Sequence, residues 1–291
     1  MRQMRIAITA DLHWGHRKGA EATRKLAMHL GQETPDLLVI AGDIGVGPMF
    51  EECLALFDGV DCPKSLVPGN HDLWLLGEEN SFHSLDLFER ILPETANRHG
   101  FHYLDHAPLI FDDANLALAG TINWYDYSWG LEGLRNLFPA ELERLATKRF
   151  SRGRHNDANF IRWPIDDVQF TSLVTRRLEE HLEQARGRVA NTLVITHHPP
   201  LRDLGLPLLE PLRELDDLLW ECFSGNAGME QLLARSADFV PFAFCGHTHR
   251  AREVSWQGIR GYNIGGDYNF KRLLTLDWPA GNVAFTEFHE E

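Results

Sequence analysis

Five short segments of the chain end in side chains that commonly bind metal ions. Each is an apolar run followed by aspartate, asparagine or histidine: RIAITADLH, DLLVIAGD, KSLVPGNHD, NTLVITHHPP and FVPFAFCGHTH. Carboxylate and amide oxygens combined with imidazole nitrogens are the ligands expected for Mn, Fe or Zn, whereas Ca takes oxygen ligands alone. The polar residues at the segment ends are Asp11, His13, Asp43, Asn70, His71, Asp72, His197, His198, His247 and His249. Their types predict a transition-metal site.

Each segment taken alone has a plainer explanation. An Asp-x-His triplet arises often by chance, and Gly-Asn-His-Asp is typical of a turn, because Asn and Asp tolerate left-handed backbone. A His-His-Pro-Pro sequence is a common way to end a strand. The occurrence of all five segments in one chain, each with polar residues at the same end of its apolar run, favours the metal site.

The apolar runs are the elements that must position these side chains. They are short and rich in Val, Ile and Leu, which predicts strands buried on both faces. In open α/β sheets, ligands bind outside the carboxyl ends of parallel strands, which is where the polar residues stand. Glycine precedes Asp43, Asn70 and His247, where it allows a sharp turn or a close approach of the backbone.

Two helices and several further strands are predicted from periodicity. In EATRKLAMHLGQE, the apolar Ala22, Leu26 and Leu30 share one helix face, so residues 5–43 are predicted to form a βαβ unit. Asp166 is placed to cap a longer helix that Gly187 terminates. Alternating runs near the C-terminus, REVSWQGIRGYNI, RLLTLDW and NVAFTEF, predict antiparallel strands of a second sheet.

Residues 121–165 combine aromatic residues, glycine and asparagine with a basic cluster and lack a clear period. We interpret them as an insertion within a single domain that spans residues 1–291. The aromatic residues either stack on a base or sugar of a ligand or belong to the core. They are Trp124, Tyr125, Tyr127, Trp129 and Trp163.

The basic cluster, RLATKRFSRGR at residues 144–154, contains no acidic residue. One interpretation is a solvated helix end, where cations suit the helix dipole. The other is a cap over the metal site, in which Arg152 or Arg154 binds a second phosphate or carboxylate of the substrate, since Arg forms bidentate contacts to such groups.

Composition limits the class of protein. The chain has 291 residues, 44% of them apolar, which is enough for a large core. Its formal charge of −14 argues against binding to duplex nucleic acid, where affinity comes largely from Lys and Arg. The four cysteines are irregularly spaced, which predicts free thiols. No segment resembles a signal peptide or a membrane span, so we expect a cytoplasmic location.

Taken together, the five segments resemble the signature of the calcineurin-like metallophosphoesterases: D-x-H, G-D, G-N-H-[DE], a later histidine and G-H-x-H. The motifs that carry this resemblance extend from Asp11 to His249. The resemblance implies an α/β fold, a four-layer α/β/β/α sandwich in which two mixed sheets pack face to face with helices outside. That architecture agrees with parallel strands followed by antiparallel ones.

The resemblance also implies two divalent transition metal ions, with Mn as the first expectation and Fe or Zn as alternatives. By position, the first metal would be bound by Asp11, His13 and His249, and the second by Asn70, His197 and His247. Asp43 would bridge them. A hydroxide held between the metals would attack phosphorus. His71 matches the general acid that protonates the leaving oxygen.

The chain departs from the family pattern at one position. Many relatives have an acidic residue three positions after the bridging aspartate, where it can orient the catalytic histidine, and here Val46 stands there. The departure bears on the orientation of His71, since the function of an imidazole depends on what its other nitrogen contacts. One role for Asp72 is to orient His71 in place of the missing acidic residue, and the alternative is to form a hydrogen bond within a local turn.

The sequence therefore predicts a metal-dependent hydrolase of phosphate mono- or diesters whose partner is a small phosphorylated substrate. A scaffold that has kept the fold and lost catalysis would be expected to have lost ligands, and this chain retains all of them. A nuclease is a further alternative that the negative charge disfavours.

Overall fold

The computed structural model describes residues 2–77, 82–206 and 214–290, and its strands form two six-stranded mixed sheets. The strands of the first sheet are β1 (Met4–Thr9), β2 (Leu37–Ala41), β3 (Lys64–Val67), β4 (Phe101–Tyr103), β11 (Phe270–Trp278) and β12 (Asn282–His289). They are ordered β12-β11-β1-β2-β3-β4. The neighbours from β1 to β4 are parallel, and β11 and β12 are antiparallel additions.

The second sheet also has a parallel centre, and both of its edge strands are antiparallel to their neighbours. Its strands are β5 (Leu109–Phe111), β6 (Leu116–Thr121), β7 (Asn191–Thr196), β8 (Phe242–Cys245), β9 (Arg252–Trp256) and β10 (Ile259–Asn263). They are ordered β5-β6-β7-β8-β10-β9, with β5 and β9 antiparallel to their neighbours. All five apolar runs of the sequence are strands, namely β1, β2, β3, β7 and β8.

The helices surround the two sheets and connect their strands. They are α1 (Ala20–Glu33), α2 (Pro48–Ala55), α3 (Ser84–Asp86), α4 (Leu92–Arg98), α5 (Ser128–Leu137), α6 (Glu143–Thr147), α7 (Asp157–Phe160), α8 (Asp167–Arg186), α9 (Leu215–Cys222) and α10 (Ala227–Ser236). The predicted cap of α8 is confirmed, because the Asp166 side chain accepts from the Gln169 backbone N–H at 2.7 Å. The helix ends at Arg186 with Gly187 as its C-cap, as the sequence indicates.

The apolar faces of the strands determine how the sheets and helices pack in layers. Alternate residues of β1, such as Ile6 and Ile8, pack in one buried cluster with Phe244 of β8 and Ile195 of β7, so the two sheets meet face to face. The opposite faces are covered by helices, with α1 and α2 on the first sheet and α8 and α10 on the second. Burial of each such side chain stabilises the fold by about 1.5–3 kcal/mol. The predicted four-layer sandwich is confirmed.

One expectation about the C-terminal strands is wrong in part. The hairpin β9–β10 belongs to the second sheet, but β11 and β12 extend the first, because β11 pairs antiparallel with β1 from Met4↔Trp278 to Thr9↔Leu273. Alternating hydrophobicity indicates that a strand exists and which of its faces is buried. It does not indicate which sheet edge the strand joins.

Within the described residues, no helix is long and apolar enough to cross a membrane. All four cysteines are unpaired, as their spacing predicts.

Candidate metal centre

The ends of β1, β2 and β8 turn sharply into a left-handed backbone conformation. The residues with positive φ are Asp11 (56°), His13 (44°), Asp43 (53°), His247 (72°) and His249 (55°). Positive φ is uncommon for residues other than glycine and costs about 1–3 kcal/mol where the surrounding structure imposes it. The strands therefore stop before these residues, and the turns, rather than the strands, aim their side chains.

Glycines at the neighbouring turns allow the polar groups to approach one another. A Cβ atom on Gly69 would lie 2.1 Å from Oδ1 of Asp43. Gly42, with φ of 85°, leaves room for the imidazole of His197, whose Nδ1 would lie 2.4 Å from an added Cβ. A side chain at either position would displace a candidate ligand.

Four of the predicted ligands form one cluster, with ligand atoms that all lie within 4.8 Å of one another: Asp11, His13, Asp43 and His249. The Nε2 atoms of His13 and His249 face each other at 2.9 Å. The Oδ2 atom of Asp11 is buried and has no hydrogen-bond partner among the described residues. Converging imidazole nitrogens beside an unpartnered carboxylate oxygen fit a cation between them.

A second group lies on the other side of Asp43. Nε2 of His197 is 3.1 Å from Oδ1 of Asn70 and 3.3 Å from Oδ1 of Asp43. The other oxygen of Asp43, Oδ2, is 3.5 Å from Nε2 of His13. One carboxylate thus presents one oxygen to each group.

His247 lies next to this second group without joining the four-residue cluster. Its ring centroid is 5.2 Å from that of His197, and its backbone N–H donates to Oδ1 of Asp11 at 2.9 Å. Its ring packs against His198, with centroids 4.0 Å apart.

His71 stands at the edge of the site, with its side chain 19% exposed. Its ring stacks on Trp74, with centroids 3.6 Å apart and an angle of 25° between the planes, and its Nε2 is 3.9 Å from Oδ2 of Asp43. The carboxylate of Asp72 is engaged elsewhere, since it accepts from the backbone N–H groups of Ile44, Gly45 and Gly69. Asp72 therefore holds the turns, which is the second of the two roles predicted for it.

Residues 4–251 match the family model of the calcineurin-like phosphoesterases. The chain belongs to this family. Membership makes it a phosphoester hydrolase, and the family together with the buried Asp/His cluster indicates divalent metal ions. No significant match was found among curated proteins.

Two solved structures illustrate the likeness of fold. The phosphopantetheinyl hydrolase PptH from Mycobacterium tuberculosis is 20% identical, with a TM-score of 0.70 over 90% of this chain and 89% of that one. A dimetal phosphatase from Danio rerio is 16% identical, with a TM-score of 0.57 over 99% of both chains. At these identities, the likeness is one of fold.

The electrostatics of the candidate site favour the metal-binding forms of Asp43 and His13 but the protonated form of His197. Burial alone would raise the pKa of the Asp43 carboxyl, but the charges of nearby histidines hold that pKa well below its usual range. Burial lowers the pKa of His13 far enough to keep its imidazole neutral. For His197, burial lowers the pKa, but the charge and hydrogen bond of Asp43 outweigh it and raise the pKa to about 9. A metal must therefore displace a proton from His197.

Sequence reasoning missed a residue that connects residues 121–165 to the site. Asp157 of α7 is buried and accepts from Nδ2 of Asn70 at 2.9 Å, from Nε1 of Trp74 at 2.8 Å and from the hydroxyl of Tyr125 at 3.0 Å. It thereby orients the amide of Asn70 and the ring that stacks on His71. Asp157 is 87 positions from Asn70, and no local pattern distinguishes it.

His198 packs beside the site. It is buried, and within the described part of the chain neither of its ring nitrogens has a hydrogen-bond partner. Burial and the charge of His197 lower its pKa to about 3, so the ring is neutral. It packs against Trp124 as well as His247.

A cavity of about 650 Å³ opens over the candidate metal ligands. Its lining includes Arg152 and Arg154, the two arginines for which a capping role was considered. The aromatic residues that line it are Trp74, Phe150, Trp220 and Tyr268. Trp124, Tyr125 and Trp129 are instead buried in the protein interior, so these three belong to the core.

Proposed function

We propose that this phosphoesterase hydrolyses phosphate esters of small molecules with two divalent metal ions that share Asp43. One observation carries the proposal: the two oxygens of the Asp43 carboxylate face two separate groups of ligands, at 3.5 Å from His13 and 3.3 Å from His197. A carboxylate that served a single ion would not need nitrogen ligands near both of its oxygens.

The ligands divide between the two ions by their position around Asp43. Asp11, His13 and His249 are proposed to bind the first ion, and Asn70, His197 and His247 the second. Mn is our first expectation, with Fe or Zn as alternatives. When bound, a metal pair polarises phosphoryl oxygens and activates water at neutral pH.

His71 is proposed to protonate the leaving oxygen. It lines the cavity, and stacking on Trp74 restricts the plane of its ring. Burial lowers the pKa of His71, while the charges of Asp43 and Asp157 oppose that shift. A bound phosphate would add negative charge beside the imidazole and so favour its protonated form.

Residues 121–165 are proposed to form the cap of this site within a single domain. Within this segment, Asp157 accepts a hydrogen bond from the amide of Asn70, and Arg152 and Arg154 line the cavity that opens over the candidate ligands. The cap would therefore serve both the metal centre and the substrate.

The test combines metal analysis with turnover of p-nitrophenyl phosphate and bis-p-nitrophenyl phosphate in the presence of Mn. We expect two metal ions per chain, and we expect Asp43→Asn to lose both ions and most of its turnover, because one carboxylate serves both. Asp238→Asn is the matched control, since Asp238 is an exposed partner of Arg186 and lies outside the site.

Each alternative predicts a different result. Metal binding without turnover of either ester would favour a scaffold. Rapid cleavage of DNA with slow turnover of small esters would favour a nuclease. A fully active Asp43→Asn protein would refute the shared-carboxylate site.

A further inference from the structure

The charge around the cavity is opposite to the charge of the whole chain. The formal net charge is −14, yet Arg152, Arg154 and Arg250 all line the cavity over the metal ligands. The carboxylate among its described lining residues is Asp43, which the metals would neutralise. The mouth of the cavity is therefore a positive region in an acidic protein.

Two of these arginines come from distant segments and have no described acidic partner. Arg152 belongs to the 121–165 segment and Arg250 follows His249 directly, and within residues 2–77, 82–206 and 214–290 neither makes an ion pair. Many other arginines are paired, such as Arg186 with Asp238 at 2.5 Å. Exposed guanidinium groups that share a cavity repel one another unless an anion lies between them.

The third arginine is held in place by the cap itself. The Nε of Arg154 donates to the carbonyl of Thr147 at 2.9 Å. Two more cations of the 144–154 cluster bind other residues of the protein. Lys148 forms an ion pair with Asp167 at 2.7 Å. Arg144 donates hydrogen bonds to the carboxylate of Glu141 and the carbonyl of Phe150. The cluster is thus divided between structural cations and cations that line the cavity.

The cavity also has an aromatic wall. Trp220 is 39% exposed, which is unusual for tryptophan, and its ring lies on that of Phe150 with centroids 4.6 Å apart. Both rings line the cavity together with Trp74. A volume of about 650 Å³ is in the range of sites that bind ligands of nucleotide size.

We propose that the natural substrate carries a second phosphate group, remote from the scissile one, which Arg152 and Arg250 bind together in the cavity that both of them line. The organic part between the two phosphates would lie against Trp220. This proposal rests on the proposed function, because it places the scissile phosphate at Asp43 and His71. Two guanidinium groups suit a phosphate dianion, and the planar fork of Arg forms two hydrogen bonds with it.

A matched pair of chromogenic esters tests the proposal. Both are p-nitrophenyl esters of thymidine 5′-phosphate, and one of them has an additional phosphate at the 3′ position. The scissile bond and the leaving group are the same, so the ratio of their kcat/KM values reports the second phosphate alone. Measurements at about 0.15 M ionic strength limit long-range attraction.

We expect the 3′-phosphorylated ester to have about a tenfold higher kcat/KM in the wild-type protein, through a lower KM. Arg152→Ala and Arg250→Ala should each reduce this preference by about fivefold or more. The control is Arg149→Ala, which makes the same charge change in the same segment at an exposed residue outside the cavity lining. It should retain the preference.

The outcomes separate the two proposals. If the two thymidine esters, p-nitrophenyl phosphate and bis-p-nitrophenyl phosphate all resist hydrolysis with Mn supplied, the proposed function fails. If only the two simple esters are hydrolysed, the function stands and the second-phosphate proposal is wrong. If both thymidine esters are hydrolysed with equal kcat/KM, the function stands and the second-phosphate proposal is wrong. If Arg149→Ala lost as much of the preference for the 3′-phosphorylated ester as Arg152→Ala, the preference would come from general electrostatic attraction. That result would also overturn the proposed site. An unchanged preference in both cavity variants would overturn it as well.

Discussion

At the scale of single residues, the imidazole of His71 is oriented by an aromatic neighbour and not by an acidic one. Val46 stands where many relatives have an acidic residue, and Asp72, the nearest carboxylate in sequence, is bonded to three backbone N–H groups. The support seen in this structure is aromatic: Trp74 stacks on the imidazole, and Asp157 fixes Trp74 through its indole N–H. Stacking fixes the plane of the ring without binding either of its nitrogens.

Replacing the proposed acid should have an effect that depends on the leaving group. We expect His71→Ala to lose about 10²–10⁴ in kcat on alkyl phosphate esters, whose alkoxide needs a proton. The loss on p-nitrophenyl phosphate should be far smaller, because p-nitrophenolate leaves without help. Metal content, measured in parallel, should remain that of the wild-type protein. A loss of the same size on both kinds of ester would remove His71 from the role of acid.

At the scale of elements, the short helix α7 ties residues 121–165 to the loop after β3. Its Asp157 accepts hydrogen bonds from Asn70, Trp74 and Tyr125, so one buried carboxylate connects a proposed metal ligand to the ring behind the proposed acid. Hydrogen-bond partners of metal ligands commonly affect metal affinity by about 10–100-fold. The proposed cap is therefore expected to support the proposed metal site as well as to cover it.

Removing this carboxylate should weaken both the fold and the second metal site. Asp157→Ala leaves three buried donors without an acceptor, at about 1–3 kcal/mol for each unsatisfied group, so we expect a loss of at least about 3 kcal/mol in the free energy of unfolding. We also expect about 10–100-fold weaker binding of the second metal. Asp157→Asn, which keeps one carbonyl oxygen, should recover part of the lost stability and part of the lost metal affinity. Urea unfolding and metal titration measure the two effects.

The control for this variant is Asp166→Ala, which removes the N-cap of α8. It should cost about 1 kcal/mol in stability and leave metal affinity unchanged. If Asp157→Ala bound both metals as tightly as the wild-type protein, the carboxylate would be a structural residue only.

At the scale of the whole molecule, the candidate site lies where the two sheets meet. Asp11, Asp43 and Asn70 follow strands of the first sheet, whereas His197 and His247 follow strands of the second. The proposed metals would therefore bind residues of both sheets at once. Because such a site exists only when the sheets are packed together, metal binding should stabilise the folded protein.

Chelation should lower the melting temperature of the wild-type protein. At a free metal concentration about 100 times the dissociation constant, binding contributes about 2.7 kcal/mol to stability. At about 2–4 °C for each kcal/mol, removal of the metal should lower Tm by several degrees. Thermal scans with Mn and with EDTA measure this, and Asp43→Asn should show little difference between them. Equal Tm values for wild-type protein under both conditions would argue against metals that join the sheets.

The strands that lead to the site, and most of the residues gathered there, follow from local patterns in the sequence. Each motif is local: an apolar run predicts a buried strand, and a glycine next to a polar residue predicts a sharp turn at its end. Parallel strands place their carboxyl ends at one edge of a sheet, so the motifs of β1, β2 and β3 had to meet. The caps of α8 were likewise readable from neighbouring residues.

The folded structure was needed to find the contacts between segments that are distant in sequence. It placed β11 and β12 on the first sheet and Asp157 beneath Asn70, and it brought Arg152 and Arg250 to one cavity. Periodicity shows which face of an element is apolar, but partners across the molecule depend on how whole layers pack. Asp157 and Arg152 lie in a segment that has no hydrophobic periodicity. Their partners therefore cannot be predicted before the packing of the layers is known.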